Sequence, residues 1–269
     1  MTVQAKMAWY VYAVVPGELL PPDCCETIVP GVGLSLVVGD TASGMPPLAA
    51  LVSLVPKALF DPHHPSSRAA EPSWVAARAA AHHAIIATIC MLGPCVPLSF
   101  GTLFASTDSV KAWLTAKETC LRTAVAKVSG CDEFAATLLE DVNAHSVWLT
   151  HNSDSLLQLR RDMEAAGPGV AFLLARRFEK LLVTMRTSRC SRISSEIGER
   201  FEEVADAINE VPPHGAVASW SLLIRRDISP DFLETVNAGL AATGLSLRIT
   251  GPWPPYAFAR AAWKGAHNE

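Results

Sequence analysis

Charge is scarce in this sequence. Only 18% of its 269 residues are Asp, Glu, Lys or Arg, while 50% are apolar. Disorder needs the reverse balance, so a disordered chain is excluded. A basic surplus is also missing. Twenty-two Lys and Arg face 26 Asp and Glu, for a net charge of −4 and a pI near 6.1. That balance offers no electrostatic footprint for nucleic acid. The common signatures of catalysis are absent as well: no GxSxG, no P-loop GK[ST], no GxGxxG and no HExxH occurs. Gly31-Val32-Gly33 is a partial glycine motif with no helical pattern behind it, so it predicts no phosphate site. The seven cysteines (24, 25, 90, 95, 120, 131 and 190) contain no CxxC pair. An odd count without a secretion signal predicts free, mostly buried thiols in a reducing compartment. The opening MTVQAKMAWYVYAVV has one Lys and no small-residue cleavage site, so no signal peptide is expected.

Long apolar runs do occur. Ala79 to Thr107 holds no Asp, Glu, Lys or Arg, but His82, His83, Gly93, Pro94, Pro97 and Gly101 interrupt it. A spanning helix needs about 20 mostly apolar residues. The stretch therefore reads as a buried helix, a turn and a strand, and no membrane span is expected. At 28.8 kDa the chain can bury roughly 75% of its extended surface, enough for one or two domains.

Trp9–Val15, Leu34–Val38 and Leu48–Val55 read as three strands with no room for helices between them all. That predicts an antiparallel or mixed sheet. Ser73 is a candidate N-cap for an Ala-rich helix ending at Gly93-Pro94, followed by an extended segment over Val96–Phe104. Thr107 or Asp108 can open a helix to Val128. Phe134–Leu139 is a strand candidate, and a polar helix around Leu156, Leu157 and Leu159 follows it. A long helical pattern then runs from Val170 to Asn209. Its apolar stripe is interrupted where Arg189 takes an apolar slot, so a kink or a helix break is predicted over Thr187–Ser195. Ser219–Arg226, a helix from Ser229 to Ala242 and a strand over Leu245–Thr250 complete the pattern. The expectation is an α+β protein of two domains: an N-terminal mixed or antiparallel sheet with helices over 1–129, and a reduced ferredoxin-like unit with a long helix over 130–269.

Several groups invite chemistry. His63-His64, His82-His83 and Cys24-Cys25 are adjacent pairs, whereas tetrahedral zinc prefers ligands spaced along the chain. No metal and no cofactor are expected. Cys90 or Cys95 with His82 or His83 could form a nucleophile pair, but an apolar setting favours inert thiols. Arg160 to Arg200 holds nine Lys and Arg against five Asp and Glu, a solvated helix face or a surface for an acidic partner. The most unusual segment is Thr250-Gly251-Pro252-Trp253-Pro254-Pro255-Tyr256-Ala257-Phe258. Its prolines stiffen the chain, and its aromatics offer either a tail packed on its own domain or a rigid platform for a partner.

The string LRITGPWPPYAFA resembles the C-terminal signature of the GvpL/GvpF family of gas vesicle proteins. WYVYAVV, LAALVSLVP, PLSFGTLF, GPGVAFLLARR and SWSLLIRRD resemble other segments of that family, in the family's order. Two segments depart from it. Ser99 stands where the family carries Arg, and CDEFAATLLED replaces a Glu-Trp-Gly-Val-Lys-like strand, keeping Glu133 and the aromatic Phe134. The resemblance implies a non-enzymatic accessory or minor structural protein of gas vesicle assembly. Such a protein is cytoplasmic or vesicle-associated, and its partners are the hydrophobic shell protein and other accessory proteins. Phe100, Gly101, Thr102, Trp253, Tyr256 and Phe258 are the candidate contact or domain-interface residues. The alternative is an α+β enzyme or a small-ligand or metal-binding module built on Cys and His.

Overall fold

The computed structural model describes residues 6–19, 27–40, 44–61, 63–64, 67–228, 235–237, 239–240 and 242–264, with the backbone alone over 261–264. The chain divides into two compact units. One joins Met1–Glu133 to Pro252–Glu269; the other is Phe134–Gly251. The boundary lies close to the expected Ser129-Gly130. The division differs from the expected one at its far end, where the aromatic tail groups with the first unit.

In the first unit, β1 (Met7–Pro16) pairs antiparallel with β3 (Leu48–Pro56), and β2 (Ser35–Val38) pairs with the outer edge of β3. Two short strands, β4 (Val96–Pro97) and β5 (Leu103–Phe104), pair with the other edge of β1. The expected extended segment over Val96–Phe104 thus becomes two strands around a turn. The β1–β3 register slips between Val11 and Ala13. A bulge there switches the faces: Tyr10 and Tyr12 share one core cluster with Ala13 and Val15. Val11 and Val14 are fully buried as well. Burial of both faces explains why β1 reads as a continuous apolar run.

Helix α1 (Pro72–Leu92) lays Ile85, Ile86, Ile89 and Cys90 against that cluster. Its N-cap is Glu71, with Pro72 at the first position, where a missing N–H costs nothing. Among the described residues it is the one helix long and apolar enough to cross a membrane, with mean hydropathy 1.5, yet Trp74, His82 and Ile85 are buried in this unit. The expected single helix to Val128 is two: α2 (Thr107–Ala116) and α3 (Glu118–Val128), broken at Lys117. Ser106 opens α2 with a reciprocal capping box to Ser109. Helix α2 packs on β2 and β3, and α3 on β4.

The second unit has a four-stranded sheet in the order β7 (Ala207–Val211), β8 (Ala218–Arg225), β6 (Cys131–Glu140), β9 (Leu245–Trp253). Helices α4 (Val142–Asn152), α5 (Asp154–Ala165) and α6 (Pro168–Glu202) follow β6. Ile193, Ile197 and Phe201 of α6 pack with Leu222, Ile224, Leu245 and Leu247 of the sheet. Helix α6 is continuous over Thr187–Ser195, so of the kink or break expected there the break does not occur. Arg189 fills the apolar slot by packing its guanidinium 4.2 Å from the Trp148 ring centroid. The helix ends at Glu202 rather than Asn209, because the chain from Asp206 onward bonds to β8. Ile208 keeps helical spacing and sits in a strand, an ambiguity that short apolar runs always carry. Most of the expected helix from Ser229 lies outside the described residues.

Gly244 marks the tightest point of this unit. Its φ is +78°, and a Cβ there would overlap the backbone of His145. Its carbonyl accepts from the Asp141 N–H at 2.8 Å. Gly244→Ala is expected to cost about 3 kcal/mol or more, combining left-handed backbone strain with backbone overlap. Thermal unfolding of the two proteins measures it.

Candidate functional site

The expected contact residues group in the first unit, around two polar centres. The first is His82 on α1. Its Nε2 donates to the Leu98 carbonyl at 3.2 Å, so Nδ1 is left to accept from the Tyr10 hydroxyl at 2.9 Å. The Tyr10 oxygen in turn accepts from the Gly101 N–H at 3.1 Å. The turn between β4 and β5 is thereby bound to the core. Gly101 takes φ +86°, Thr102 accepts from the Val11 N–H, and the Phe100 ring packs edge-on to Tyr10 and His82. Burial holds His82 down at about 4 and pushes the Tyr10 hydroxyl up. Tyr12 makes a parallel chain, accepting from the Ile28 N–H and donating to Ser53, which donates to the Gly33 carbonyl.

The second centre is the tail. Tyr256 opens α7 (Tyr256–Lys264), a helix the sequence reading does not anticipate. Pro254-Pro255 followed by an unbroken Ala-rich run was the available signal. Glu133 caps this helix: its Oε2 accepts from the Ala257 N–H at 2.9 Å, and the carboxylate also bonds to the Phe258 amide. Burial raises the Glu133 carboxyl, and the two amides partly offset that. The Tyr256 hydroxyl bonds to His83 Nδ1 at 3.0 Å, and the Trp253 ring lies 5.6 Å from the His83 ring. Phe258 is fully buried, with Lys127 over its ring at 5.6 Å. Trp253 remains 41% exposed. A cavity of about 300 Å³ lies beside Glu133, lined by Pro97, Leu98, Ser99, Tyr256 and Arg260. Ser99 presents a short side chain to that space, beside the carboxylate.

The Cys and His alternatives fare differently in the structure. His63 and His64 sit exposed in a turn, and Cys24 and Cys25 lie outside the described residues. The Cys95 thiol is pushed well up by its hydrogen bond with Cys90 and by burial, the opposite of activation.

The sequence reading overlooks a third polar cluster, in the second unit. Glu140, His145 and Cys190 bring ligand-type atoms within 4.8 Å of one another. Arg189 donates to His145 Nε2 at 3.0 Å, and His145 donates from Nδ1 to Glu140 Oε1 at 2.7 Å. Arg186 holds both carboxylate oxygens, at 2.9 and 3.1 Å, and keeps the Glu140 carboxyl below the usual range. A metal at Nδ1 would move the ring proton to Nε2, where Arg189 already directs a donor. Two guanidinium charges also repel a dication. The arrangement is an ion-pair network tying α4 and α6 to the end of β6.

Two outcomes follow for the first unit. His82 binds its proton only at about pH 4 when folded and near 6.5 when unfolded. The unfolded state therefore holds more protons in between, and stability falls as pH drops through that window, by up to about 3 kcal/mol. His82→Gln, which keeps one donor and one acceptor, is expected to flatten this acid limb in thermal melts between pH 4 and 7. Glu133→Ala should remove the cap of α7 at a cost of about 1–2 kcal/mol. Hydrogen exchange should then speed up over residues 256–264 first.

Comparison with known proteins follows this geometry. Residues 8–260 match the family model described as gas vesicle synthesis protein GvpL/GvpF. Gas vesicle protein L2 of Halobacterium salinarum is 29% identical over 182 residues, 63% of this chain and 65% of that protein. Gas vesicle protein L of Haloferax mediterranei is 24% identical over 66% of this chain and 59% of its own length. The chain thus spans 65% and 59% of the length of these two relatives. Gas vesicle protein L of a Streptomyces species is 25% identical, covering 82% of this chain and 83% of its own. Crystal structures of gas vesicle protein GvpF share the fold. The Anabaena protein has a TM-score of 0.66 at 18% identity, and the Microcystis aeruginosa protein 0.62 at 19%. Each covers 94% of this chain and 98% of its own. The order of segments from WYVYAVV to GPWPPYAF is therefore a family pattern, and the chain belongs to the GvpL/GvpF family of gas vesicle synthesis proteins.

Proposed function

We propose that this chain is a non-enzymatic accessory protein of gas vesicle assembly. It acts in the cytoplasm at the growing wall and contacts the hydrophobic shell protein and other accessory proteins. The family match across residues 8–260 carries this reading. A subunit that builds a gas-excluding wall must carry apolar surface before it assembles. A partner that covers this surface for a time prevents misassembly and orders its addition.

Of the six expected contact residues, Trp253 is the one we assign to the partner surface. It is large, 41% exposed, and fixed beside His83 by the proline segment. Phe100, Gly101, Thr102, Tyr256 and Phe258 act by holding their segments against the core.

The test is a pull-down of purified chain against its host's shell protein. Trp253→Ala should fold with unchanged melting behaviour and bind about tenfold more weakly. Equal binding by both proteins would move the contact away from Trp253. Vesicle yield and shape unchanged in a host lacking the protein would overturn the assembly role.

A further inference from the structure

The first half of α6 presents a face whose side chains are exposed among the described residues. Counting 3.6 residues per turn, Phe172, Leu173, Arg176, Arg177, Lys180 and Val183 point the same way, over about 17 Å of helix. All six are exposed; Phe172 is 59% and Leu173 65% accessible. Packing uses the opposite side, where half-buried Leu174, Phe178, Leu181 and Met185 meet the α4–α5 side of the unit. Among the described residues, no carboxylate pairs with Arg176, Arg177 or Lys180. The Arg176 guanidinium lies 4.9 Å over the Phe172 ring, which draws the charge onto the apolar surface. Glu179, also exposed, lies on the same helix at the margin beside Phe172. The face belongs to a stretch, Arg160 to Arg200, with nine basic residues against five acidic, in a chain of net charge −4.

We propose that this face docks an acidic, amphipathic helical segment of a partner protein. Charge complementarity selects the occupant. Arg176 and Lys180 lie between apolar side chains and Arg177 flanks them, so the matching surface alternates Asp or Glu with Leu-type residues over about three turns. An anionic membrane fits less well. A helix lying in a bilayer keeps an apolar sector clear of charge, with its cations along the flanks. Here Arg176 and Lys180 fall angularly between Phe172 and Leu173, so burying both apolar residues in lipid would drag the cations in. The inference deepens the assembly reading by naming the chemistry of one partner, and it rests on that reading for the partner's identity.

The test uses the full chain and three probes: a labelled three-to-four-turn Leu/Glu helical peptide, its Leu/Lys counterpart, and vesicles with anionic lipid. Binding is read by anisotropy or sedimentation at two salt concentrations. The proposal expects the Leu/Glu peptide to bind, to weaken with salt, and to lose tenfold or more in affinity with Arg176→Glu/Lys180→Glu. Phe172→Ser/Leu173→Ser should weaken it at either salt. Thermal melts of both variants should match the parent, since neither pair is buried. Equal binding of the two peptides, indifference to the variants, or binding to vesicles in preference to the peptide would overturn it. A parallel pull-down of the host's gas vesicle proteins separates the two readings. Capture that survives charge reversal keeps the assembly role and sinks this face. Peptide binding without capture of any gas vesicle protein does the reverse.

Discussion

The Tyr10 hydroxyl is the hinge on which the first unit turns. It donates a hydrogen bond to His82 on α1 and accepts one from the Gly101 amide of the β4–β5 turn. One oxygen thus joins the central strand, the covering helix and the returning edge of the sheet. Such a group is stabilising only when every partner is present, because a buried hydroxyl without them costs more than an apolar ring. The neutral imidazole completes the account by donating to Leu98, so the three elements are fixed by one tautomer. The bulge after Val11 matters for the same reason. It places Tyr10 and Tyr12 with Ala13 and Val15 in one cluster, where a regular strand would send the later residues to the opposite face.

Glu133 plays the matching part for the tail. A carboxylate in a poorly solvated setting is unfavourable by itself, and the amides at the start of α7 compensate it. The segment GPWPPYAF is therefore mainly a docking device within the first unit. Prolines aim the helix, Glu133 receives its N-terminus, Tyr256 bonds to His83, and Phe258 fills the core. Trp253 alone of its aromatics stays substantially in contact with solvent.

How much of this was legible depends on range. Long elements such as β1, β3 and α1 could be read from local composition and from the Pro and Gly residues that end them. The unbroken α6 could not, because Arg189 looks polar until Trp148 lies beneath its guanidinium. The strand β7 was hidden by Ile208, whose spacing suits helix and strand alike. Tyr256 could be singled out from its neighbours, but its purpose depends on His83, 173 residues earlier. The Glu140–His145–Arg186–Arg189 network was invisible for the same reason: no local motif joins the end of a strand to the middle of a helix. Ser99 and Glu133 drew notice only as departures from, or remnants of, a family pattern. Their shared cavity appears once β4 and α7 are brought together.

The division of the chain also sets an order of events during synthesis. Residues 134–251 can complete their own contacts as soon as they have emerged. The first unit cannot, because the cap on α7, the bond from Tyr256 to His83 and the Phe258 core contact all wait for residues translated after the second unit. Its sheet and α1 must stand for the whole interval with the Glu133 carboxylate uncapped and the seat of Phe258 empty. At about 5–20 residues per second, the 118 intervening residues hold that unfinished surface open for roughly 6–24 s on the ribosome.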